Sequence, residues 1–139
     1  MKLAKEFHFD AAHYLPDYQG KCANLHGHTY EGVLWVEGPV DPGSGMVMDF
    51  VVLKACLAVV VDRFDHCTIL MDEDRLSECL RELGMKVTIL GAPPTVENLA
   101  KEILFMLNEE VLPSRIDHII VKLREGIGGW AVAELGVDA

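Results

Sequence analysis

Alternation sets the first element. From Leu3 to about His13, the side chains of Phe7, Phe9, Ala11 and His13 fall on one face, the period of two that a half-buried strand requires. A polar loop with Gly20 runs from Asp17 to Asn24, and a second strand, rich in Thr, Tyr, Val and Trp, is predicted from about Gly27 to Gly38. Pro39 through Gly45 is a turn cluster. The period then changes. With Asp49 as N-cap, Phe50, Leu53, Leu57, Val60/Val61 and Phe64 recur at three- and four-residue spacing, which predicts a helix with a core-facing stripe, ended at Asp65. A short helix is expected over about Asp72 to Leu83, and a brief strand from Val87 to Leu90. Pro93-Pro94-Thr95 introduces a second long helix with Thr95 as N-cap, Leu99, Ile103 and Met106/Leu107 as its apolar face, and Pro113 as its stop. Ile116 to Arg124 and Trp130 to Leu135 complete the strands, separated by Gly126 and Gly128-Gly129.

This order predicts one α+β domain over residues 1–139, an antiparallel four-stranded sheet with two long helices on one face. Such a sheet has two edges, and natural proteins cover, pair or close their edges, so a homo-oligomer is expected.

Composition narrows the function. Twelve basic against 22 acidic side chains give a formal charge of −10, which disfavours a nucleic-acid partner. No apolar run approaches the roughly 18–20 residues needed to span a bilayer, and the N-terminal residues lack a signal-peptide core. A cytoplasmic protein with no membrane partner is therefore expected. The four cysteines, Cys22, Cys56, Cys67 and Cys79, form no Cys-x-x-Cys pair and are expected as thiols. Cys56 and Cys79 lie among apolar neighbours in helical patterns and read as buried packing residues.

The strongest chemical signal is Cys22-Ala23-Asn24-Leu25-His26-Gly27-His28, with His13 upstream. Residues two apart on a strand share a face, so His26 and His28 project together, and His13 ends the strand that pairs with theirs. A lone His-x-His is commonly a surface or packed pair. Three imidazoles converging from two adjacent strands instead make a three-ligand zinc site, whose open fourth position is the catalytic arrangement. His8 and His118 read as structural. Cys22 fits two roles: a fourth ligand that closes a structural centre, or a thiolate beside the metal that removes a substrate proton.

These residues, together with Phe9-Asp10-Ala11-Ala12-His13, resemble the 6-pyruvoyltetrahydropterin synthase superfamily. Further matches are Gly45-Met46-Val47-Met48-Asp49-Phe50, Asp65-His66, Pro94-Thr95-Val96-Glu97-Asn98, and Glu125 followed by Trp130-Ala131, in family order across residues 9–131. The three-residue gap between Cys22 and His26 is similar to that of the bacterial branch, the 6-carboxytetrahydropterin synthases of queuosine biosynthesis. Two departures stand out: Cys67-Thr68-Ile69-Leu70-Met71 follows Asp65-His66 without the family's usual asparagine, and Gly126-Ile127-Gly128-Gly129 replaces a Thr-Pro-Thr-Ser-like stretch.

The resemblance implies a tunnelling fold (T-fold) that assembles into a barrel, as a hexamer made from a dimer of trimers, with active sites between subunits. It implies a lyase-type enzyme converting 7,8-dihydroneopterin triphosphate to 6-carboxytetrahydropterin, with release of triphosphate and acetaldehyde. The alternatives are 6-pyruvoyltetrahydropterin synthase and, from a different class, a zinc-stabilised assembly module without turnover. Under the enzymatic reading His13, His26 and His28 bind zinc. Cys22 is the general base, Asp65 and His66 are a second acid–base pair, and Glu125 anchors the pterin. The plainer readings are a favourable histidine at a helix C-terminus for Asp65-His66 and an exposed strand-end carboxylate for Glu125. Thr95 and Glu97 are candidate pterin-pocket residues, although a carboxylate in a first helical turn needs no ligand to justify it. Lys21, Lys54, Lys122 and Arg124 are available to a triphosphate, against the plainer reading of solvated surface charges.

Overall fold

The computed structural model describes residues 1–110 and 115–136, so the predicted helix stop at Pro113 lies outside the described residues. The elements are β1 (Lys2–His13), β2 (His26–Glu37), α1 (Phe50–Phe64), β3 (Cys67–Met71), α2 (Leu76–Glu82), β4 (Val87–Leu90), α3 (Val96–Glu110), β5 (His118–Glu125) and β6 (Ala131–Gly136). The sheet is six-stranded and mixed, in the order β4-β3-β1-β2-β5-β6. The expected four-stranded antiparallel sheet is present as β1, β2, β5 and β6, but β3 and β4 extend it with parallel pairings on the far side of β1.

The additional strand β3, apolar except for Thr68, begins with only Asp65 and His66 between it and the end of α1. His66 makes this possible by taking the left-handed conformation (φ 54°), a region histidine enters more readily than most residues, which turns the chain straight from helix into strand. Its amide donates to the Asp10 carbonyl at 2.6 Å, which starts the parallel pairing of β3 with β1. The expected helix over Asp72 to Leu83 is trimmed to α2, because the Asp74 carboxylate accepts the Leu76 amide (2.9 Å) and holds the residues before it in a turn. No residue of α2 is fully buried, so Cys79 is exposed and the expectation of a packing role for it is corrected. Cys56 is buried as expected, and no disulfide links the cysteines.

Local chemistry starts each long helix. The Asp49 carboxylate accepts the Val51 amide at 2.8 Å, and the Thr95 hydroxyl accepts the Asn98 amide at 3.3 Å. The apolar stripes of α1 and α3 then cover one face of the sheet, where Phe9 stacks between Tyr30 and Phe64 with centroids 5.0 and 5.5 Å away. Burial of side chains of this size contributes about 1.5–3 kcal/mol each. Gly32 of β2 sits under the Phe7 ring, which occupies the space a Cβ would need (2.2 Å).

The opposite face is a polar trough carrying Glu6, His8, Thr29, Glu31, Lys122 and Arg124. Strands β4 and β6 are its edges. Beside the β6 edge, Val132 and Phe105 are exposed, as are Phe50, Val51, Val52 and Val59 of α1. No described helix is long and apolar enough to cross a membrane.

Candidate active site

The antiparallel register of β1 and β2 places His13 opposite His26 and Ala11 opposite His28, which brings all three histidines to one end of one face. One nitrogen from each ring lies within 4.8 Å of the others. His13 Nδ1 lies 2.7 Å from the Pro94 carbonyl, and His26 Nδ1 lies 2.6 Å from the Asn24 carbonyl. A carbonyl only accepts, so both Nδ1 atoms carry the hydrogen and both Nε2 atoms present lone pairs. Burial pushes His13, only 1% exposed, below its ordinary pKa and so favours the neutral form that ligates metals. The buried Nε2 atoms of His13 and His28 have no hydrogen-bond partner. Buried polar atoms are rarely left so, and the cost of about 1–3 kcal/mol each is removed by a metal ion that binds both nitrogens. The donor set therefore fits a zinc ion with an open position.

Cys22 lies on a 3₁₀ turn (Lys21–Ala23), half-buried, with its carbonyl accepting the Leu15 amide at 2.8 Å. Its thiol is not a member of the histidine cluster.

Glu125 ends β5 opposite Tyr30. Its Oε2 lies 3.6 Å from His13 Nε2 and 3.4 Å from the Tyr30 hydroxyl, which donates to it. Burial first, and the Glu125 charge second, push the Tyr30 phenol upward, so Tyr30 stays a neutral donor. Glu125 and Glu97 line one cavity of about 330 Å³ with Val96, Gly129, Trp130 and Ala131. Thr95 caps α3 and does not line that cavity.

Asp65 and His66 form the expected pair, with Oδ2 and Nδ1 2.9 Å apart and the imidazole 77% exposed. The Asp10 amide donates to Asp65 Oδ1 at 2.9 Å. This bond, followed by the one from His66, holds the Asp65 carboxyl below the usual carboxylate range. The Lys86 ammonium donates to the Asp65 carbonyl at 2.9 Å and to that of Asp62. With Asp10 the pair forms a second cluster. Asp10 and His13 are three residues apart on β1 and so point to opposite faces. Cys22 belongs to neither cluster within one chain.

Sequence reasoning missed Pro94, Tyr30 and Asp10. Two of them act through backbone groups, which carry no residue-type signal. His118 lies between Glu37 (3.7 Å) and Glu134 (3.9 Å), away from both clusters, as its structural reading requires. Lys122 and Arg124 line the trough and are absent from the Glu125 cavity.

A three-histidine cluster built around the buried His13, with the Glu125 carboxylate beside it on a mixed sheet covered by two long helices, is the arrangement of a catalytic metal-site enzyme class. The family model described as 6-pyruvoyl tetrahydropterin synthase matches residues 2–135, and the chain belongs to that family. The 6-carboxy-5,6,7,8-tetrahydropterin synthase of Haemophilus influenzae is 34% identical over 117 residues, covering 78% of this chain and 83% of its own. The protein of the same name from Rickettsia conorii is 31% identical over 119 residues, 81% of each chain. The structure of Plasmodium falciparum 6-pyruvoyl tetrahydropterin synthase superposes with a TM-score of 0.80 at 23% identity, over 99% of this chain and 98% of that one. The subunit therefore has the tunnelling fold.

Proposed function

We propose that the protein is a zinc-dependent 6-carboxytetrahydropterin synthase of the queuosine pathway, acting in the cytoplasm on 7,8-dihydroneopterin triphosphate and releasing triphosphate and acetaldehyde. The observation that carries this reading is the pair of partnerless Nε2 atoms of His13 and His28, with Glu125 3.6 Å from the former. Zinc held by His13, His26 and His28 would supply Lewis-acid polarisation of the substrate's side-chain oxygens and so acidify the neighbouring C–H. Glu125 accepts two parallel hydrogen bonds from the ring amide N–H and the 2-amino group, which fixes the ring edge. Cys22, as thiolate, takes the side-chain proton. The His66 imidazole, oriented through Nδ1 by Asp65, moves protons as the second acid–base group.

The assay is mass spectrometry of products from 7,8-dihydroneopterin triphosphate. 6-Carboxytetrahydropterin with acetaldehyde is expected, a 6-pyruvoyl product would assign the chain to the other branch, and intact substrate would refute both. Glu125→Gln should weaken pterin binding in calorimetry while zinc content is unchanged, because an amide offers a donor where the ring needs a second acceptor.

We also propose a homo-oligomer, a hexamer built as a dimer of trimers, in which the unpaired β4 and β6 edges close a barrel and one copy's Asp65-His66 pair serves the next copy's Cys22. Light scattering at micromolar concentration should give the hexamer, with thermal stability rising with protein concentration. An active monomer would contradict the shared site.

A further inference from the structure

We infer that Trp130 is the stacking wall of the ring pocket, with one indole face clamped from behind by Lys122 and Arg124 and the other offered to a planar, polar heterocycle held at its edge by Glu125. This inference rests on the pterin reading of that cavity.

Trp130 lines two cavities at once: the one of about 330 Å³ that holds Glu97 and Glu125, and the trough of about 1100 Å³ on the opposite face of the sheet. Lys122 and Arg124 line only the trough. Trp130 therefore stands between the trough, where two cations reach its ring, and the cavity that holds Glu97 and Glu125. Lys122 Nζ lies 4.3 Å and Arg124 Cζ 4.5 Å from the ring centroid. Residues two apart on β5 share a face, which is why both reach the same ring. Both distances are well inside cation–π range. Arg124 is itself fixed, donating through Nε to Glu31 at 2.5 Å and pairing through its Nη2 with the same carboxylate oxygen.

A tryptophan that is 40% exposed at the start of an edge strand would ordinarily be free to change rotamer. Here the trough side locks it before any ligand arrives, so little side-chain ordering is left for binding. The cavity side suits a ring. Gly129 lines it without a Cβ, and Val96 and Ala131 supply small apolar surface. A carboxylate that accepts two parallel donors reads only an edge and would take a guanidinium as readily as an aminopyrimidinone. The flat face beside it supplies the discrimination that the edge lacks.

The test is calorimetric titration of 7,8-dihydroneopterin, which lacks the triphosphate, into the intact assembled protein. Trp130→Leu should bind it roughly ten- to a hundredfold more weakly, Trp130→Phe should recover most of the affinity, and Lys122→Met, outside the cavity, should weaken it severalfold. Zinc content equal to wild type reports that the site is otherwise intact; should Trp130→Leu fail to fold, the Phe and Lys122 variants decide. Wild-type affinity in Trp130→Leu, with Glu125→Gln weakened, would overturn the stacking wall and leave the pterin reading standing. No binding of the probe by the wild type would overturn both.

Discussion

Cys22→Ala should keep its zinc and its assembly and lose turnover by roughly 10²–10⁴-fold, the effect of a missing general base. Three features separate the two losses. The metal-ligating nitrogens belong to His13, His26 and His28, and the Cys22 thiol is outside that cluster. The contact that fixes the Cys22 turn is its carbonyl accepting the Leu15 amide, which alanine preserves. Glu125, the proposed ring anchor, is on β5 and touches Tyr30 and His13 rather than Cys22. Metal analysis, light scattering and pterin calorimetry on the variant should therefore match wild type while product formation falls. The same geometry gives a complementation result. Since neither cluster of one chain includes Cys22, mixed oligomers of Cys22→Ala and His66→Ala subunits should regain turnover at the sites that combine an intact Cys22 with a neighbour's intact His66. Loss of zinc and unfolding in Cys22→Ala, with an inactive wild type, would make Cys22 a fourth ligand and the protein a closed-site structural module.

The parts that could be read from the sequence are those whose signal is local and periodic. Alternation through Phe7, Phe9, Ala11 and His13 locates β1, and the three- and four-residue spacing of Leu53, Leu57, Val60 and Phe64 locates α1. Parity on β1 and β2 suffices to converge three histidines, since register follows once the strands pair. Strand β3 gave no such signal. Cys67 to Met71 is flanked by β1 and β4, so it lacks the polar alternation of a half-solvated strand and is too short to distinguish from a helix end. The trimmed α2 and the exposed Cys79 have the same origin, because an apolar spacing over two turns does not say whether anything lies opposite it. The site's supporting contacts were illegible for a different reason. Asp10 to Asp65, His13 to Pro94 and Tyr30 to Glu125 span 55, 81 and 95 residues, and the first two use backbone groups. A carbonyl that selects a histidine tautomer is invisible until the chain has folded.

About one zinc per chain is expected in a chelator-free preparation, and His26→Ala/His28→Ala should lose it. The metal-free site is left with polar atoms that nothing satisfies. Pro94 and Asn24 fix two of the rings through Nδ1, so the rings cannot turn to find other partners without giving up those bonds. His13 Nε2 and His28 Nε2 are then buried and unsatisfied, each at a cost of about 1–3 kcal/mol that the metal relieves on binding. Chelation should accordingly lower the melting temperature of the wild type by more than loss of a surface ion would. The double variant, which removes the orphaned His28 nitrogen along with the ligands, should melt at the same temperature with or without chelator. Its pterin anchor is untouched, so dihydroneopterin should still bind through Glu125 although no product forms. Full zinc retained in the double variant would end the assignment, since His13 alone cannot hold a metal against a competing chelator and the other cluster, Asp10 with Asp65 and His66, would have to be the metal site instead.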